Sequence, residues 1–323
     1  MHNSQKRRWR DRNKIYPSCG YRRVKLLLIH GRSQEDKNPA VLRHKWVSSL
    51  HAGAEAVGLE LPISDEDIIF PYFGDALIDL TVEEHPEHHE HEEDIAPVSL
   101  GRDHHDDFEY RCRVLNECFD EALGFDRGLG PAEPPTQDTG PLESELVQLG
   151  IGFIENLSTR FSSRSLTAAA ADVSMYVRDE NIQHFIESGI AQAVADQDPV
   201  EELVVVGHSL GSIIAYRMLA AGGLLADRNV TSFITIGSPL GIRAVREALH
   251  PIGHPPGVGC WFNAFDERDA VALHPLNDKF FNIEPAIENY GGVKNDTINR
   301  HGITGYLTDR VVVTRLINAL AAT

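Results

Sequence analysis

A serine flanked by spaced glycines, Gly207-His208-Ser209-Leu210-Gly211, is the stretch of this chain best suited to nucleophilic chemistry. A seryl hydroxyl is a weak nucleophile at neutral pH. It needs a geometry that projects it, a base to take its proton and donors for the charge that develops. The residues on either side offer the geometry. Four apolar residues, Leu203 to Val206, run into the motif, and a helix-compatible run, Ser212 to Ala221, follows without a break. A short apolar run bounded by glycine reads as a strand buried on both faces, as in the centre of a parallel sheet. Turning from such a strand directly into a helix strains the serine backbone, and the glycines let the adjoining segments approach. The first amides of the helix then lie beside the hydroxyl, where an oxyanion would form. An ordinary strand-to-helix turn is the bland alternative, and the valine run and the following helix weigh against it.

In that context the segment resembles the nucleophile elbow of the α/β-hydrolase superfamily, and G-H-S-L-G resembles that of its lipase and esterase branch. The resemblance covers roughly residues 22–74 and 172–323. It implies a serine hydrolase that cleaves a carboxylic ester through a Ser-His-Asp triad and an acyl-enzyme intermediate. The substrate would be a small-molecule or lipid-like ester, with no cofactor and no metal. It also implies an oxyanion hole built from the backbone N–H groups of Leu210 and of Arg32, which follows His30-Gly31 at the end of an early strand. The family order along the chain is serine, acid, histidine. Two acids, Asp266 and Asp269, lie at the end of the strand through Phe265. The segment F-D-E-R-D-A-V is similar to the D-x-x-D-P-V pattern of many lipases and esterases, with Ala270 in place of proline. That similarity favours Asp269 and leaves Asp266 as a turn-capping aspartate. For the base, His250 and His254 precede the acid, and His274 follows Asp269 too closely to lie on the next loop. His301, in the loop before the closing helix, is the expected base. His30, Tyr72, Phe73 and His274 are candidate pocket residues. Thioesterase, amidase and acyltransferase chemistry would use the same triad, and a non-catalytic ligand-binding protein of this fold is the alternative outside enzymes.

The elements that must position these groups alternate along the chain. Val24 to Ile29, Ile68 to Phe70, Ser232 to Ile236 and Gly257 to Asp266 read as strands beside the elbow strand, with Phe280 to Ile283 as the last. Helices are expected over Pro39–Val57, Asp172–Ala195 and Leu307–Ala321, the first carrying Val41, Leu42, Trp46, Leu50 and Ala54 at three-to-four spacing. Ser238, before Pro239, reads as a turn residue and not as a second nucleophile. The pattern predicts one doubly wound, mostly parallel α/β domain over 22–323, and the resemblance implies that its fold is the α/β-hydrolase fold. Residues 75–171 are too long for a simple connection and are expected to form a helical lid or cap, with helices over 106–123 and 142–161. Within them, residues 83–94 are a run of acids and histidines whose spacing matches no closed metal site, and a solvated loop is the expectation.

Composition narrows the partners. The chain has 323 residues, 42% of them apolar, and a formal net charge of −18, which argues against nucleic acid or an anionic membrane as the main partner. Its four cysteines (Cys19, Cys112, Cys118 and Cys260) form no C-x-x-C pair, which points to a reducing, cytoplasmic setting. Residues 1–21 start with a basic run and read as a disordered arm. The nearest apolar run, Leu26 to Ile29, is too short for a signal or a membrane span.

Overall fold

The apolar strands that read as buried on both faces lie in the interior of the sheet. In the computed structural model, residues 24–31, 38–74, 110, 113–114, 163–197, 201–272, 274–298 and 300–322 are described. Six strands form one sheet: β1 (Val24–Ile29), β2 (Ile68–Ile69), β3 (Glu202–His208), β4 (Val230–Ile236), β5 (Val258–Ala264) and β6 (Glu288–Tyr290). Their order is β2-β1-β3-β4-β5-β6, and every pair is parallel. β1 and β3 pair from Val24↔Glu202 to Ile29↔Gly207, so the two most apolar runs of the chain lie side by side at the centre.

Alternate residues of these strands feed two cores, as the two-residue period of a strand requires. Leu27, Ile29, Val205, Phe233 and Trp261 pack on one face, against helices α2 (Ser163–Arg178), α3 (Glu180–Ala195), α4 (Leu210–Leu219) and α5 (Arg243–Ala248). Leu26, Leu28, Val204, Val206 and Ile234 pack on the other, against α1 (Pro39–Ala56), α6 (Ile303–Leu307) and α7 (Arg310–Ala321). The chain is therefore an α/β protein with helices on both sheet faces. α4 is buried nearly all round, which suits a helix wedged between the sheet and its neighbours.

Local sequence accounts for the helix ends. Asn38 caps α1 by accepting from the amides of Ala40 (2.9 Å) and Val41 (3.4 Å), with Pro39 in the first turn. Leu42, Trp46 and Leu50 form the buried stripe, each contributing about 2 kcal/mol by leaving water. Val41 lies off that stripe and is 65% exposed. The single helix expected over Asp172–Ala195 is two helices. Asp179 is in extended geometry and caps α3 through the amides of Asn181 and Ile182. Phe185, placed on the apolar stripe by sequence, is 55% exposed, because Ile182, Ile186 and Ile190 form the inward face.

The strand expected over Phe280–Ile283 is not there. Phe281 is buried in an aromatic cluster with Tyr216 and Trp261, so its apolarity serves packing and not a ladder. Among the described residues the last strand is β6, a short edge strand paired with β5. α2 crosses residue 171, the expected end of the insertion. The basic arm, Arg32, the acid/histidine run 83–94 and the helix expected over 142–161 lie outside the described residues, as does all but Tyr110, Arg113 and Val114 of the helix expected over 106–123. Among the described residues, no helix is long and apolar enough to cross a membrane.

Candidate active site

The chain leaves β1 toward one sheet edge and, from β3 onward, builds toward the other, so the loops after these two neighbouring strands part at their carboxyl ends. Such a parting is where open α/β sheets leave room for a ligand. Ser209 sits there, between β3 and α4, with φ 55° and ψ −130°. A side-chain-bearing residue at positive φ costs roughly 1–3 kcal/mol, which the surroundings must impose. They do so by contact. A Cβ on Gly211 would stand 2.2 Å from the Ile29 carbonyl oxygen, and one on Gly207 would stand 2.6 Å from Ser212 Cα. The start of α4 therefore crosses directly over the end of β1, and the turn has no room to relax. Ser212 Oγ bonds the Ser209 carbonyl at 2.6 Å and Ser238 Oγ at 2.7 Å, fixing the elbow from below. Ser238 also accepts from the Leu240 amide (3.3 Å), a turn-capping role.

Three side chains from three loops meet at this turn. His301 Nε2 is 2.8 Å from Ser209 Oγ, and His301 Nδ1 is 2.7 Å from Asp269 Oδ2. Asp269 follows β5 and is fully buried, and His301 lies between β6 and α6. The Asp269 carboxylate accepts three donors: His301 Nδ1–H and the Tyr306 hydroxyl (2.6 Å) on Oδ2, and the Val271 amide (2.9 Å) on Oδ1. Hydrogen bonds to an ionised group contribute about 1.5–3 kcal/mol each.

Asp266 is placed differently. Its Oδ1 accepts the Arg268 amide (2.9 Å) and Nε (3.3 Å), and its Oδ2 accepts the Asn295 amide (2.8 Å). Asn295 in turn bonds the Gly302 carbonyl (2.8 Å) and accepts from Thr297 Oγ1, which receives the Gly302 amide (2.9 Å). Asp266 thus staples the loop of His301 to the loop of Asp269. Arg300, directly before His301, takes φ 54° within that loop. Asn295, Thr297 and Tyr306 carry no motif signal, and only the fold assigns them to the site.

His208 is buried, and its Nε2–H donates to the His301 carbonyl at 2.9 Å, with the two rings 4.8 Å apart. Burial, then the neighbouring His301, pushes its pKa well below the usual imidazole value, so it is a neutral wall beside His301.

Each of the candidate pocket residues lies against an aromatic neighbour. His30 is fully buried and stacks on Phe73 at 3.9 Å. Its Nδ1–H donates to the Gly31 carbonyl and its Nε2 accepts the Phe73 amide (3.3 Å), which binds the segment after β2 to the end of β1. Tyr72 is half-buried beside His30, the ring centroids 5.6 Å apart. His274 is buried against Phe280 at 4.2 Å, and burial lowers its pKa to about 4. A groove of about 580 Å³ lies at the opposite end of the sheet, where β4 and β5 begin, and shares no residue with the Ser209 cluster.

For an oxyanion, Leu210 begins α4, so its N–H has no acceptor within the helix. Gly31 lies against the serine, since a Cβ there would stand 2.8 Å from Ser209 Cβ. Arg32, the second expected donor, is outside the described residues. Among the described residues, no group of three His, Cys, Asp or Glu side chains is arranged to hold a metal ion. No protein-family model, curated protein or solved structure matches this chain.

Proposed function

We propose that this protein is a serine hydrolase with an α/β-hydrolase fold, similar to lipases and esterases, which cleaves a carboxylic ester of a small or lipid-like substrate. The observation that carries the reading is the unbroken chain Asp269–His301–Ser209, at 2.7 Å and 2.8 Å, ending on a serine held at positive φ. With Nδ1–H donated to Asp269, His301 presents the lone pair of Nε2 to the Ser209 hydroxyl. Ser209 Oγ attacks the ester carbonyl carbon as its proton passes to Nε2. The Leu210 N–H, and in this reading that of Arg32, receive the oxyanion of the tetrahedral intermediate. The carbonyl re-forms, the ester C–O bond breaks, and His301 returns the proton to the departing alkoxide. Water then attacks the acyl-enzyme with His301 again as base, releasing the carboxylic acid and restoring Ser209. Asp269 stays ionised throughout and stabilises the imidazolium. A cytoplasmic location fits a chain whose four cysteines form no C-x-x-C pair and whose Cys260 thiol is free.

A fluorophosphonate probe tests this directly, because only an activated serine labels. The wild-type chain is expected to label and to hydrolyse p-nitrophenyl esters. Ser209→Ala is expected to lose the label and reduce turnover by several orders of magnitude, with an unchanged circular dichroism spectrum. Turnover above about a tenth of wild type in that variant removes Ser209 from the chemistry.

A further inference from the structure

One oxygen of Asp269 serves two donors that arrive from the same short stretch of chain. His301 precedes α6 and Tyr306 lies within it, and both aim at Oδ2, at 2.7 Å and 2.6 Å. We propose that Tyr306 is a positioning residue of the catalytic centre, whose phenolic O–H aims the Asp269 carboxylate and moderates how strongly it draws the proton of His301. This rests on the serine-hydrolase reading.

The direction of the Tyr306 bond follows from its partners. Its oxygen accepts the Asp266 amide at 3.3 Å, and Asp269 has no proton to give, so the phenolic hydrogen goes to Oδ2. Tyr306 is fully buried, and burial followed by the charge of Asp269 raises its pKa well above the ordinary phenol value. It is therefore an O–H donor at every pH at which an ester hydrolase works. The space for the ring is provided by Gly237, where a Cβ would stand 3.1 Å from Tyr306 Cε2.

The consequence is electrostatic. A second donor on Oδ2 spreads the carboxylate charge, so Asp269 stabilises the imidazolium of His301 less than a singly bonded carboxylate would. Among the described residues, the other titratable groups beside the pair are turned to other partners. Asp266 is turned to Arg268 and Asn295, His208 is neutral and bonded to the His301 carbonyl, and His30 is bonded to the Gly31 carbonyl and the Phe73 amide. Filling the core is the alternative role for a buried tyrosine. Its loss would then lower stability and leave the pH dependence of the serine where it was.

The second-order rate of fluorophosphonate labelling, measured against pH, separates the two and needs no natural substrate. In Tyr306→Phe the acidic limb of the profile is expected to move to higher pH by about half a unit or more, with the plateau rate within about tenfold of wild type. Site-specific 3-fluorotyrosine at position 306, a stronger donor of nearly the same shape, is expected to move the limb to lower pH. It keeps the test open if Tyr306→Phe does not fold. A limb unmoved in either folded variant overturns the role of Tyr306 while the hydrolase reading stands. A wild-type chain that does not label at all removes that reading, and this inference with it.

Discussion

Replacing Asp269 by asparagine changes one atom and tests the acid by a count of donors. The carboxylate accepts Val271 N–H on Oδ1, and His301 Nδ1–H and Tyr306 O–H on Oδ2. An asparagine has one acceptor oxygen. With that oxygen at the Oδ2 position, its NH2 faces the Val271 amide, and two buried donors confront each other. With the oxygen at Oδ1, Val271 is satisfied and the NH2 can donate to the Tyr306 oxygen and to His301 Nδ1. The second orientation satisfies more groups, but it forces His301 into the tautomer that carries its proton on Nε2. That nitrogen, 2.8 Å from Ser209 Oγ, would then be a donor and could not accept the hydroxyl proton. The charge that stabilises the imidazolium is lost as well. The expected cost is about 10⁴-fold in kcat, equivalent to about 5 kcal/mol of barrier. Asp266→Asn loses one of the bonds to Arg268 or Asn295, about 1–3 kcal/mol of stability. It should lower Tm by several degrees and leave activity within about tenfold. Hydrolysis of p-nitrophenyl esters, read with a melting curve for each variant, decides between them. A dead Asp266→Asn beside a merely weakened Asp269→Asn would refute the reasoning.

His301→Ala should approach the loss seen for Ser209→Ala, because groups acting as a unit are not additive. His274→Ala should cost far less activity in the same ester assay, since His274 packs on Phe280. Gly211→Ala should fail to fold or lose well over 2 kcal/mol in a denaturant titration, because the new Cβ would meet backbone carbonyls of Ile29 and His30 that cannot move aside. Stability should fall on acidification between about pH 6.5 and pH 4: His274 holds a folded pKa of about 4, so the unfolded chain binds its proton first. His208, also lowered, adds to the same trend, and His274→Gln should flatten the fall of Tm with pH.

The sequence by itself determined what depends on neighbours in the chain. Three consecutive valines and two glycines around Ser209 specify a buried strand, a tight turn and a helix, because strand burial and backbone strain are local consequences of residue type. Pro39 likewise marks where α1 begins, whereas the closing helix expected from Leu307 starts at Arg310, because Leu307 ends α6 and Asp309 caps α7. Asp266 and Asp269 were narrowed to a pair but not ordered by the residues alone, since both lie just past β5 and either could turn inward. The tertiary structure decided where each points: Asp269 toward His301 and Tyr306, Asp266 toward Asn295. β6 and Phe281 show the same limit in the fold. A three-residue edge strand, Glu288–Tyr290, carries no hydrophobic pattern because its residues are exposed or half-buried, whereas Phe281 is apolar to fill a space between Tyr216 and Trp261. Tyr306 is the sharpest case. In the chain it is one more aromatic residue on a short helix, and it becomes a donor to Asp269, 37 positions away in sequence, only because folding carries that helix to the end of β5.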